Sequence, residues 1–138
     1  MPEGKAKEAR AFGSPSRYIQ GPGEIRNLPV FASNYGKTAL AVIDPFFYQE
    51  YSQWIPELFE QHNMMAYTVE FPGVCSTDTL NHLIEYCKAL PQIPDTFIGI
   101  GGGQTCDINK ALGAAFRKAF INVPTSLATD APTSTHSI

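Results

Sequence analysis

The run Thr38-Ala-Leu-Ala-Val-Ile43 is apolar at nearly every position, and a strand of that composition needs cover on both faces. Phe97-Ile-Gly-Ile100 repeats the pattern, while Met64 to Val69 and Ala119 to Val123 supply further strands. A short strand at Arg17 to Gln20 precedes them, ended by Gly21-Pro-Gly23. Stripes at helical spacing lie between these runs. Glu24 to Tyr35 carries Ile25, Leu28, Phe31 and Ala32 on one side, with Pro29 breaking it unless it opens a second short helix. Phe47, Tyr51, Ile55, Leu58 and Phe59 form the next stripe, where Pro56 implies a kink or a restart. Ser76 suits an N-cap for a helix bearing Leu80, Leu83, Ile84, Cys87 and Leu90. Ile108, Ala111, Leu112, Ala115 and Phe116 give the last stripe. Strand and helix alternate throughout, so the expected fold is α/β: a Rossmann-like, open, mainly parallel sheet with helices on both faces.

Size and charge narrow the class further. The 138 residues fit one domain, with Met1 to Phe12 read as a flexible tail and 13–138 as the folded unit. A net charge of −3 gives no electrostatic reason to bind nucleic acid or an anionic membrane, so a bound anion must be held by local groups. The polar, charged start carries no secretory signal, and no segment reaches transmembrane length. Cys75, Cys87 and Cys106 show no metal or disulfide spacing, which points to a reducing, cytoplasmic setting. His62, His82 and His136 show no paired metal-site spacing either.

In sheets of this kind ligands bind beyond the carboxyl ends of the strands. Three segments fall there. Gly99-Ile-Gly-Gly-Gly-Gln-Thr-Cys-Asp107 joins a buried strand to an amphipathic helix, so glycines admit a ligand to the backbone and the helix aims free amides at it. A pyrophosphate suits that corner, although a ligand-free tight turn also uses glycine. No Gly-Lys-Ser/Thr ending follows, so this is not a P-loop. Asp44, before Pro45, is either a carboxylate accepting ribose hydroxyls or a turn-forming aspartate. The ribose role would favour a nucleotide with free hydroxyls over one with a 2′-phosphate. Thr125 to Ser134 is either a polar loop closing on a ligand or a solvated connection. Cys106, at the start of a helix, is either a reactive thiol or a packed, inert one, and the second reading is preferred.

Five segments together resemble the glycerol dehydrogenases of the iron-type alcohol dehydrogenase and dehydroquinate synthase superfamily. They are Ser14-Pro-Ser-Arg-Tyr-Ile-Gln-Gly21, Asp44-Pro-Phe46, Phe71-Pro-Gly-Val-Cys-Ser76, Gly99 to Asp107 and Thr129-Asp-Ala-Pro-Thr-Ser134. The resemblance implies NAD-linked oxidation of glycerol or a related polyol to the ketone, with a divalent metal, usually zinc, polarising the alcohol oxygen. It also implies that 13–138 is the NAD-binding domain. Asp44 is similar to the residue that holds the adenosine ribose. Gly102, Gly103, Gln104, Thr105 and Asp107 fall where the family binds the dinucleotide, Thr125 and Ser134 match further cofactor contacts, and Asp130 matches the residue approaching the polyol.

Three residues depart from the family's pattern. Gln104 stands where lysine is usual, Ala128 where a serine is expected, and His136 where an apolar residue lines the cofactor. Family members also continue into a helical second domain that supplies one aspartate and two histidines to the metal. The chain is therefore expected to be truncated, to hold neither catalytic residues nor metal ligands, and to be inactive alone. Its expected partners are a small polyol and either a second copy or a complementing chain carrying the second domain, with exposed apolar area as a consequence. A non-catalytic nucleotide-binding fragment or pseudoenzyme is the alternative. A cyclising lyase acting on a phosphorylated sugar acid ranks lower, because Thr129 to Ser134 follows the glycerol dehydrogenase pattern.

Overall fold

The computed structural model describes residues 16–18 and 22–124. Strand β1 (Ser16–Tyr18) leads to a 3-10 turn over Pro22–Asn27 and the short helix α1 (Leu28–Ala32), which has Pro29 in its first turn, the second of the two alternatives for that proline. Strand β2 (Thr38–Ile43), helix α2 (Pro45–Glu60), strand β3 (Met65–Glu70) and helix α3 (Thr77–Lys88) follow. Strand β4 (Thr96–Gly101), helix α4 (Gly103–Phe116) and strand β5 (Ala119–Pro124) complete the described chain.

The five strands form one sheet in the order β1-β5-β4-β2-β3, and every pairing is parallel. Central β2 and β4 are buried at every residue, which is why their sequences do not alternate. Successive residues instead feed two cores. Ala39, Ala41, Ile43, Ile98 and Ile100 meet α1 and α2 through Leu28, Tyr51, Ile55 and Phe59. Leu40, Val42 and Phe97 meet α3 and α4 through Leu83, Cys87, Ile108 and Leu112. Helices thus cover both faces.

Three helices differ in detail from the expectation. Helix α2 runs through Pro56 without a restart. Pro56 has no N–H for the carbonyl of Ser52 one turn back, and the hydroxyl of Thr68 on β3 donates to that carbonyl at 3.5 Å. In α4 the buried positions are Thr105, Ile108, Asn109, Leu112 and Gly113, whereas Ala115 is exposed. The face turned to the sheet is set by Asn109, whose amide nitrogen reaches the carbonyls of Phe97 (3.2 Å) and Ile121 (3.4 Å) and Oδ1 of Asn122 (2.9 Å). Gly99 makes room for this pair, since a β-carbon there would lie 2.7 Å from Asn122 Oδ1.

Leu90, expected on α3, lies beyond its C-cap at Ala89. Among the described residues no helix is long and apolar enough to cross a membrane.

Candidate functional site

The chain order fixes where a cleft must open. From β2 the chain crosses to β3 on one side, then returns to β4 on the other side of β2. The carboxyl ends of β2 and β4 therefore send their helices to opposite faces, α2 to one core and α4 to the other. A crevice at such a switch point is the usual ligand site of an open α/β sheet. Asp44 ends β2 and the glycine turn ends β4.

Asp44 is held on both sides. Its N–H donates to the carbonyl of Ile100 on β4 at 2.8 Å. Its Oδ1 accepts from the N–H of Phe46 at 2.8 Å, capping α2 with Pro45 in the first turn. The turn-forming role is thus real, and it leaves Oδ2 with no partner among the hydrogen bonds of this cap. Both roles considered for Asp44 are compatible in one side chain.

The glycine turn is graded from inside to outside: Gly101 is buried, Gly102 half-buried and Gly103 exposed. Gly101 has φ +153, and a β-carbon there would come within 2.7 Å of Asp44 Cβ and 2.8 Å of Thr105 Oγ1. The backbone of β4 can therefore pass this close to Asp44 only as glycine. Gly102 caps α4 without any side-chain hydrogen bond, so the first amides of the helix keep no capping partner. At Gly103 a β-carbon would meet nothing within 4 Å, which leaves open space before those amides. Uncapped amides and open space thus lie together at this corner, a combination that suits an anion.

The remaining predicted positions divide clearly. Thr105 is buried, with Oγ1 unpartnered beneath Gly101, so its hydroxyl faces the turn from below. Asp107 is exposed on the first turns of α4. Gln104 is exposed, and its Oε1 accepts from the N–H of Cys75 at 2.9 Å, joining the glycine turn to the segment before α3. Cys106 is half-buried, with its thiol 3.8 Å from the carbonyl of Gly101. Burial, aided by the charge of Asp107, pushes that thiol up to about 11, as suits a packed and inert group. Thr125, Asp130 and Ser134, together with Ala128, His136 and the tail 1–12, lie outside the described residues.

At this corner the described residues bring together the uncapped amides of α4 and the carboxylate of Asp44. Among the described residues no group of three or more His, Cys, Asp or Glu could hold a metal ion. His62 has its Nδ1 3.1 Å from the carbonyl of Leu58 on its own helix, away from the cleft. Sequence reasoning missed Asn109 and Asn122, which seat α4 against β4 and β5 and so aim its amino end; Asn122 Nδ2 also donates to the carbonyl of Cys106 at 3.3 Å. The only hint lay in small residues on both sides of Asn109, namely Thr105, Gly113 and Gly99 on the facing strand.

Known proteins resemble this chain in sequence and fold. A glycerol dehydrogenase from Thermotoga maritima is 33% identical over 125 residues, covering 90% of this chain and 33% of its own length. One from Citrobacter freundii is 29% identical over 134 residues, covering 94% of this chain and 35% of its own. The chain thus spans about a third of the length of the curated relatives it matches. The crystal structure of glycerol dehydrogenase from Schizosaccharomyces pombe superposes with a TM-score of 0.68 at 25% identity, over 84% of this chain and 29% of that one. The family described as iron-containing alcohol dehydrogenase matches residues 15–138. On that match, with the sheet order and the glycine turn behind it, the chain belongs to the iron-containing alcohol dehydrogenase family.

Proposed function

We propose that this chain supplies the cofactor-binding part of an NAD-dependent dehydrogenase that oxidises glycerol or a related polyol to the ketone. The observation that carries the reading is the approach of Asp44 to the glycine turn at the switch point, beside uncapped helix amides. The amides of Gly103 and Gln104 would hold the pyrophosphate, and Oδ2 of Asp44 the adenosine ribose. A carboxylate at the ribose repels a 2′-phosphate, so NAD is preferred over NADP.

Bound NAD supplies the hydride acceptor, and the chain's own part is to bind and orient it. Thr125 and Ser134 are proposed as further cofactor contacts and Asp130 as the residue that meets the polyol. Zinc is the proposed metal of the whole enzyme, and the described residues offer it no donor set. Three free thiols accord with a cytoplasmic setting. A second copy, or a chain carrying the metal domain, is the proposed partner.

Calorimetry with NAD and NADP tests this directly. The chain is expected to bind NAD more tightly than NADP, and Asp44→Ala to narrow that preference by about tenfold, the value of one lost charge-assisted hydrogen bond. Equal affinity for the two nucleotides in the parent chain would remove Asp44 from the ribose. Binding without turnover, in the presence of zinc and glycerol, is the signature of the alternative, a non-catalytic nucleotide-binding fragment. Gln104, whose side chain carries no charge and pairs with Cys75, favours that alternative for the chain on its own.

A further inference from the structure

The segment from Phe71 to Ser76 is fixed at both ends and bare between. Phe71 is buried, and its N–H donates to the carbonyl of Ile43 at 2.8 Å. Ser76 caps α3 by accepting from the N–H of Thr79 at 3.1 Å. Pro72, Gly73, Val74 and Cys75 are all exposed, and Gly73 has φ +107. This segment leaves the carboxyl end of β3, next to β2, and enters α3 on the same face of the sheet as α4. It therefore runs along the rim of the cleft. The hydrogen bond from Cys75 N–H to Gln104 Oε1, at 2.9 Å, ties its exposed part to the glycine turn.

We infer that Gln104 is a positioning residue that sets this rim, with its carboxamide oxygen committed to Cys75 and not turned to a phosphate. The geometry gives a reason. A side chain accepting through its oxygen spans from the first turn of α4 to the amino end of α3, and so fixes the separation of the two helix ends that face the cleft. The tie itself stands independently of any ligand; its effect on affinity rests on the nucleotide reading above.

Two variants of the full chain separate the parts. Gln104→Met keeps the length and removes the acceptor, whereas Gln104→Glu keeps an acceptor oxygen. Amide-to-water exchange at Cys75, read by NMR, is expected to quicken about fivefold in the Met variant and to stay within about twofold of the parent in the Glu variant. NAD affinity of the Met variant, read by calorimetry, is expected to weaken about fivefold. In the parent, saturating NAD should leave the exchange at Cys75 equal or slower. Faster exchange with NAD would mean that Gln104 leaves the rim for the phosphates, and unchanged exchange in the Met variant would mean that no tie exists; either overturns the inference. A looser Cys75 with unaltered NAD affinity would also overturn the positioning role. If the parent gives no heat with NAD, the nucleotide reading fails, while the exchange rates still decide the tie.

Discussion

Gly101 and Gly103 are two residues apart and do different jobs, which makes them a clean pair for separating folding from binding. At Gly101 a side chain meets Asp44 and Thr105, in a backbone conformation that favours glycine. Gly101→Ala is therefore expected to destabilise the fold by about 1–3 kcal/mol, read as a lower denaturant midpoint. At Gly103 nothing opposes a β-carbon, so Gly103→Ala should be neutral or stabilising by up to about 1 kcal/mol. The same methyl would intrude on the proposed phosphate cradle, and NAD binding should weaken at least about tenfold. Undiminished NAD binding by that variant would show the cradle to be empty space.

The thiols follow the same logic of burial. Cys87 is pushed up to about 11 by loss of solvent, against 9.0 for a free thiol. Because the folded state resists ionisation, this group favours folding below about pH 9, and the advantage is lost as pH rises toward 11. The loss is at most about 3 kcal/mol, and urea titrations should show a shallower alkaline decline in Cys87→Ala.

Among the elements, β2, β4 and β5 were legible because a short, nearly continuous apolar run has few other fates between turn signals, whereas β1, Ser16–Tyr18, carries no such run and was expected at Arg17 to Gln20. The helices were legible in extent and less so in orientation. For α4, counting apolar residues placed Ala115 inward, yet the sheet side is chosen by an amide. Asn109 is wholly buried, and its nitrogen satisfies strand carbonyls. Polarity reads as exposure in a sequence, and only the three-dimensional partners show otherwise. Asp44 and the glycine turn could be singled out, since their chemistry is local. The tie between Cys75 and Gln104 could not, because it joins residues 29 positions apart.

At Pro56 the restart, one of the two outcomes expected there, does not occur, and the carbonyl left without an N–H has a partner on another element, Thr68. That hydrogen bond is long and incomplete at 3.5 Å. Pro56→Ala, which returns an N–H to the Ser52 carbonyl, should raise stability by about 2 kcal/mol in urea unfolding. A drop in stability would mean that the proline ring packs favourably enough to outweigh the missing bond.

At the scale of the whole molecule, the two cores are not independent bodies. Phe97 and Ile98 are neighbours on β4, and one serves the core under α3 and α4 while the other serves the core under α1 and α2. The same holds for Leu40 and Ala41 on β2. A strand cannot lose its partners on one face and keep its place on the other, since its backbone ladder is common to both. Unfolding should accordingly be a single transition, with far- and near-ultraviolet circular dichroism melting together. Phe97→Ala and Ile98→Ala should each lower that one midpoint, by about 3–5 and about 2–5 kcal/mol respectively. The cleft lies where β2 and β4 end, so its geometry depends on both cores at once. NAD at a hundred times its dissociation constant should therefore stabilise the entire fold by about 2.7 kcal/mol, and recover part of the loss in either variant. Two separate transitions, or protection by NAD confined to one face, would show that the sheet does not couple its two sides.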